Sequence, residues 1–153
     1  MRNNMNRRDL SFALAAFAGF SAFEAEGQTP ADEPRLAHSK IFAFDQLPAQ
    51  TAANGTVSRQ VLRGALATGE YVEVHETRLP AGEMPHPPHR HTHSEFLLIR
   101  DGSLQVESDG QRSLVHAGDV VFTASAVLHG LKNVGEIPAN YFVVAVGLQK
   151  AIA

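Results

Sequence analysis

From Lys40 to Ala153 the chain shows no sustained helical period; short apolar runs, several alternating with polar residues, end instead at turn residues. That pattern leaves few architectures open. The runs predict strands over 41–44, 59–66, 71–79, 95–99, 104–107, 113–115, 120–122, 128–133 and 141–148. Ser103-Leu104-Gln105-Val106-Glu107 alternates strictly, the mark of a strand with one buried face. Asp101-Gly102 and Asp109-Gly110 are expected as hairpin turns, where glycine accepts a positive φ without a Cβ clash. Gly118-Asp119 predicts a further turn. Many short strands at this spacing imply an all-β sandwich or barrel. No internal repeat is visible, so one barrel is expected and not a duplicated pair. The length, 153 residues, leaves room for one domain and little more.

The N-terminus has a different character. Arg2, Arg7 and Arg8 precede an uncharged run from Leu10 to Phe23, rich in alanine and phenylalanine. It falls short of the roughly 20 apolar residues that a membrane span needs and suits the hydrophobic segment of a secretory signal. Asn6-Arg7-Arg8-Asp9-Leu10-Ser11-Phe12 resembles the twin-arginine export signal of bacteria. The expected organisation is a signal peptide over 1–27, a linker or N-terminal arm over 28–39 and a barrel domain over 40–153. A periplasmic or secreted location follows, with no membrane attachment after cleavage.

Composition narrows the chemistry. A net charge of -3 supplies no basic footprint for nucleic acid. Cysteine is absent, which excludes disulfides, thiolate metal sites and cysteine nucleophiles. Any metal must therefore be held by nitrogen and oxygen. Histidine is in excess, with eight in the chain, and His86, His89, His91 and His93 fall within eight consecutive positions.

On a strand, residues two apart share a face, so His89 and His91 are expected to project together. Thr92-His93-Ser94 can turn the chain so that Glu95 returns on the next strand toward the same point. Glu95 opens the apolar stretch Phe96-Leu97-Leu98-Ile99, where a buried carboxylate is costly without a cation. Leu97 and Ile99 share its parity and are expected to line the interior beside it. A second stretch, from Gly118 to Asn133, brings His129 after a turn.

These two stretches resemble the paired motifs of the cupin superfamily. The first motif is glycine, five residues, His-x-His, three or four residues, Glu, six residues, Gly. His89, His91, Glu95 and Gly102 match it, while Gly82 stands one residue too far upstream. In the second, Gly118, His129 and Asn133 fall in register, with Ala124 in place of a proline and Ala126 in place of a glycine. The resemblance implies a single-domain cupin, a small double-stranded β-helix or jelly-roll barrel. It also implies that His89, His91, Glu95 and His129 hold one divalent transition metal: iron, manganese, cobalt, copper, nickel or zinc. Such a ligand set leaves positions open for water, dioxygen or a substrate oxygen. Because ligand nitrogens must be unprotonated, metal affinity is expected to fall on acidification through roughly pH 6–7.

The resemblance further implies a metal-dependent enzyme, a dioxygenase-like oxidoreductase with Glu95 as ligand and base, although isomerases and lyases also occur in the superfamily. Leu97, Ile99, Leu131 and His86 are the expected substrate-binding residues, in a pocket suited to a hydrophobic or aromatic small molecule. The alternative is a non-catalytic periplasmic metal or ligand carrier, favoured by the extra histidines at 86–93. His75 has ambiguous parity, His38 and His116 read as surface residues, and Asn133 as a structural one. A homodimer is expected from the resemblance and because an open barrel edge needs cover.

Overall fold

The computed structural model describes residues 35–148. The expected signal peptide, most of the linker and residues 149–153 lie outside them. Ten strands follow one another: β1 (Arg35–Leu36), β2 (Ala49–Thr51), β3 (Val57–Leu66), β4 (Glu70–Leu79), β5 (Ser94–Asp101), β6 (Ser103–Ser108), β7 (Gln111–His116), β8 (Val120–Thr123), β9 (His129–Asn133) and β10 (Ala139–Leu148). The described residues contain no α-helix, only a 3-10 turn over Phe44–Gln46. None of their helices is long and apolar enough to cross a membrane.

The strands form two sheets. The larger runs β1-β3-β4-β10-β5-β8, with β2 added on β3, and the smaller runs β7-β6-β9. All pairings are antiparallel except β1 on β3. Apolar side chains at alternate positions meet between the sheets: Leu79, Leu97, Ile99, Tyr141 and Val143 from the larger, Leu104 and Val106 from the smaller. Burying each such side chain contributes roughly 1.5–3 kcal/mol, so the alternation read in the sequence is what holds the layers together. This is the expected all-β jelly roll.

Several local expectations change. Residues 41–44 form no strand; Ile41 is exposed and the 3-10 turn begins at Phe44. The Phe44 ring lies against the outer face of the large sheet, with the Arg59 guanidinium 4.8 Å and that of Arg100 5.6 Å from its centroid. Its apolar character thus serves a cation–π cover and not a strand pair. Beneath that cover Arg59 donates to Glu76 at 3.0 Å, and the carboxylate is only 1% exposed. The short β1 and β2 were not anticipated, because two or three residues carry no readable period. β1 also draws Arg35 and Leu36 out of the expected linker and into the large sheet.

The two Asp-Gly pairs behave differently. Asp109 and Gly110, at φ 52° and 73°, join β6 to β7 in a tight hairpin closed by the pair Ser108–Gln111. Asp101-Gly102 is no hairpin, because β5 and β6 belong to different sheets and the chain there turns a corner. Gly102 is required at that corner by crowding as well as by φ: a Cβ would lie 2.7 Å from Ala139 Cα.

Candidate metal centre

The segment between β4 and β5 carries the histidines, and it is not a regular strand. Only His89 pairs, in a single antiparallel bridge to His129 whose two N–H···O bonds measure 2.9 and 3.0 Å. Upstream, Gly82 N–H donates to Asn133 O at 3.0 Å and Glu83 O accepts from Asn133 N–H at 2.9 Å, while residues 90–92 are zipped to the loop before β9. Ala126 N–H donates to His91 O at 2.7 Å, Arg90 Nη1 to Ala126 O at 2.7 Å, and Ser125 Oγ to Thr92 O at 2.6 Å. Two stretches far apart in sequence are thereby locked side by side. The rings of His89, His91 and His129 follow, with centroids 4.5 to 5.2 Å apart.

One ring nitrogen from each of these three histidines lies within 4.8 Å of the others. His91 Nδ1 is 3.0 Å from His93 O, and His129 Nδ1 is 2.9 Å from Val127 O. Each Nδ1–H can donate to that carbonyl, which fixes the tautomer and leaves Nε2 with its lone pair. His91 Nε2, His129 Nε2 and His89 Nδ1 are buried without a hydrogen-bond partner. Buried polar atoms are seldom left so, because desolvation costs about 1–3 kcal/mol for each. Three such imidazoles with one ring nitrogen each inside 4.8 Å are what a cation would satisfy, and the nitrogen and oxygen donors fit a divalent transition metal.

Glu95 opens β5, and its Oε2 stands 3.4 Å from His91 Nε2. It enters a second group of close donors, with His91 and His93. His91 is common to both groups, but Glu95 is not grouped with His89 or His129, so the expected four donors do not form one close set. His93 does more than occupy a turn: its ring stacks on that of His91 at 3.6 Å. His86, exposed, sets its ring edge-on to His89 at 4.3 Å. Burial foremost, and then the imidazoles of His86, His129, His91 and His93, push His89 down to about 4.

An open cavity of about 370 Å³ adjoins the cluster. Glu95 and His129 face it, together with His86, Leu131, Val143, Tyr141, Thr77, His75 and Thr56. Leu97 and Ile99 do not line it. They lie further along β5, packed against Leu104 and Val106 of the small sheet in the closed part of the barrel. The cavity wall is consequently less apolar than expected. His75, of ambiguous parity in the sequence, lines the cavity; the signal was alternation along β4, obscured by charge on both of its faces. Asn133 is fully buried and holds backbone groups only, donating to Leu79 O and Ile137 O and accepting from Gly135 N–H. His38 and His116 are exposed and stand apart from the cluster.

Fold and site together define a small jelly-roll barrel with a cluster of imidazoles able to hold a metal ion. Residues 75–145 match the Cupin domain family, and the chain belongs to the cupin superfamily. No curated protein matches it significantly. Among solved structures it is similar to an RmlC-like cupin from Shewanella frigidimarina, at 20% identity and a TM-score of 0.60, covering 73% of this chain and 95% of that one. A predicted oxalate decarboxylase from Thermotoga maritima gives 20% and 0.58, with 71% and 100% covered. A cupin-superfamily sugar phosphate isomerase from Silicibacter pomeroyi gives 17% and 0.59, with 71% and 76% covered. At these identities the likeness carries the fold alone.

Proposed function

We propose that the protein is a metal-dependent enzyme acting on a small molecule, with one divalent ion held by His89, His91, His129 and Glu95. The observation that carries this reading is the cluster of three imidazoles, each with a buried nitrogen that lacks a hydrogen-bond partner, beside a cavity large enough for a small substrate. A bound ion would polarise a substrate oxygen and, if redox-active, bind dioxygen beside it. The chain's own residues supply the remainder. Carbonyls at His93 and Val127 orient two of the rings, and Glu95 places a carboxylate at the cavity wall to accept or return a proton. Dioxygenase-like oxidation is the reaction type we favour. The decarboxylase and isomerase among the similar structures mark the breadth of chemistry that this fold hosts.

The test is elemental analysis of untagged protein, wild type beside His89→Ala/His129→Ala, followed by oxygen consumption with aromatic diols. About one equivalent of a transition metal, lost in the variant, and oxygen uptake that depends on it are expected. Metal without turnover would support the carrier reading instead, and no metal uptake at all would overturn the metal enzyme and leave a metal-free ligand carrier. We further propose export through the twin-arginine route, on the strength of Arg7-Arg8 and the apolar run that follows. Arg7→Lys/Arg8→Lys should leave the protein in the cytoplasmic fraction of a bacterial host; unchanged export would refute the proposal.

A further inference from the structure

The cavity has a second wall, away from the histidine cluster, that a bound metal does not require. We propose that His75, Thr77, Tyr141 and Thr56 form a recognition surface for a neutral, hydroxyl-bearing small molecule, which they hold with one oxygen toward the imidazole cluster. This inference rests on the reading of the cavity as a substrate site.

Placement comes first. β4 sends Tyr71, His75, Thr77 and Leu79 to one side, and register sets His75 opposite Val143 and Thr77 opposite Tyr141 on β10. Toward Leu79 this face is packed core, whereas at His75 and Thr77 it borders the cavity. Aliphatic residues would pack such a face at least as well, so polar side chains here need another reason. Thr56 supplies the sharpest one. It is 7% exposed, it lines the cavity, and its Oγ1 is buried with no hydrogen-bond partner. Its backbone is held on both sides: the N–H donates to Asn54 Oδ1 at 3.1 Å, and the carbonyl accepts from Ala52 N–H at 2.8 Å. Asn54 Nδ2 in turn donates to Met84 O at 2.8 Å, which ties this wall to the histidine segment. The hydroxyl is thus preorganised and unsatisfied.

Charge then selects the ligand. None of the described residues lining the cavity is lysine or arginine. A phosphate or carboxylate pressed against this wall would find no cationic side chain there to offset its desolvation. Hydroxyl groups fare better. Thr56 and Thr77 can each donate and accept. Burial, assisted by the charges of Glu95 and Glu76 and opposed by a hydrogen bond from Thr77, pushes the Tyr141 phenol well above its ordinary range, so it stays a donor. Burial also lowers His75, against the pull of Glu73 and Glu95, leaving a neutral ring with one donor and one acceptor. A wall of this kind discriminates strongly against analogues that lack the matching hydroxyls.

The experiment is isothermal titration calorimetry on zinc-loaded protein with two neutral probes, D-xylose and resorcinol, and two acids without hydroxyl substituents, acetate and benzoate. His75→Phe and Thr77→Val should weaken the neutral probes by about tenfold or more at unchanged zinc content. The acids, held only by the ion, should change by less than about twofold. Thr56→Val should weaken the neutral probes and raise the melting temperature, because it removes a buried hydroxyl that has no partner. The proposal is overturned if neither neutral probe binds, if the variants bind both neutral probes as wild type does, or if the acids weaken equally. It is also overturned if Thr56→Val lowers the melting temperature and leaves binding intact. A protein that takes up no zinc yet still loses neutral-probe binding in these variants would refute the metal enzyme and leave the recognition wall standing.

Discussion

Asn133 closes the second histidine-bearing motif, and the structure gives it a structural role that substitution can measure. Its amide bridges three backbone groups: Leu79 O at 3.0 Å, Ile137 O at 2.9 Å and Gly135 N–H at 3.0 Å. In Asn133→Ala the Leu79 carbonyl, wholly buried, loses its bond from this amide at about 1–3 kcal/mol. The other two groups lie nearer solvent and should cost about 0.5–1 kcal/mol each. The sum, roughly 2–5 kcal/mol, is a large part of the 5–15 kcal/mol typical of a domain. Urea unfolding at pH 7.5 should show that loss with an unchanged m-value, and the melting temperature should fall by about 10–20 °C. Asn133→Asp provides the control. Its carboxyl faces two carbonyl oxygens, so it must stay protonated when folded, and its folded pKa stands above the unfolded value of roughly 3.9. A raised acid pKa adds no penalty below the unfolded value and a growing one as pH rises above it. Relative to wild type, Asn133→Asp should therefore be milder near pH 4 than at pH 7.5, and metal content should match that of wild type in both variants. A loss under about 1 kcal/mol in Asn133→Ala, a pH-independent penalty in Asn133→Asp, or loss of the metal while folded would refute the reasoning.

Three further outcomes are expected. Ala126 occupies a left-handed conformation, φ 63°, where alanine pays roughly 1–2 kcal/mol; Ala126→Gly should stabilise the protein by about 0.5–1 kcal/mol once the extra unfolded-state entropy is offset, and a destabilised variant would contradict this. In metal-free protein the His89 ring should titrate near pH 4 by NMR. Because its folded value lies below the unfolded value of about 6.5, this residue should lower stability as pH falls from 6.5 toward 4 and leave it unaffected above; a midpoint near 6.5 would contradict the burial argument. The outer face beside the β8 edge exposes Phe96, Leu98, Val120 and Phe122, with Phe96 and Phe122 in ring contact at 5.0 Å. We propose a second copy of the chain as its cover, so light scattering should give a dimer for wild type and a monomer for Phe122→Asp; a monomeric wild type would rule this out.

What was legible in the sequence followed from how each feature is encoded. Alternation with period two is local, so eight of the nine predicted strands appear within a few residues of their expected bounds. The exception, 41–44, shows the weakness of apolarity without a partner, since Phe44 covers arginines instead of joining a ladder. Asp101-Gly102 shows a related weakness: the dipeptide demands a turn but does not say which sheet the chain enters next. The cluster of imidazoles was anticipated through motif spacing, although the reason offered for it, two residues on one strand face, is not how the chain achieves it. The isolated His89–His129 bridge and the bonds from Arg90 and Ser125 hold the rings instead, and such long-range backbone pairing leaves no periodic trace. The same holds for the cavity. Parity placed Leu97 and Ile99 inside correctly, yet inside is divided into a packed end and an open end, and alternation does not distinguish them. Depth along the strand does, and it is fixed by residues of the opposite sheet, Leu104 and Val106, that fill one end only. Thr56 and His75 border the other end, where the facing sheet contributes His129, Gly130 and Leu131 of β9 across an open cavity instead of a packed layer.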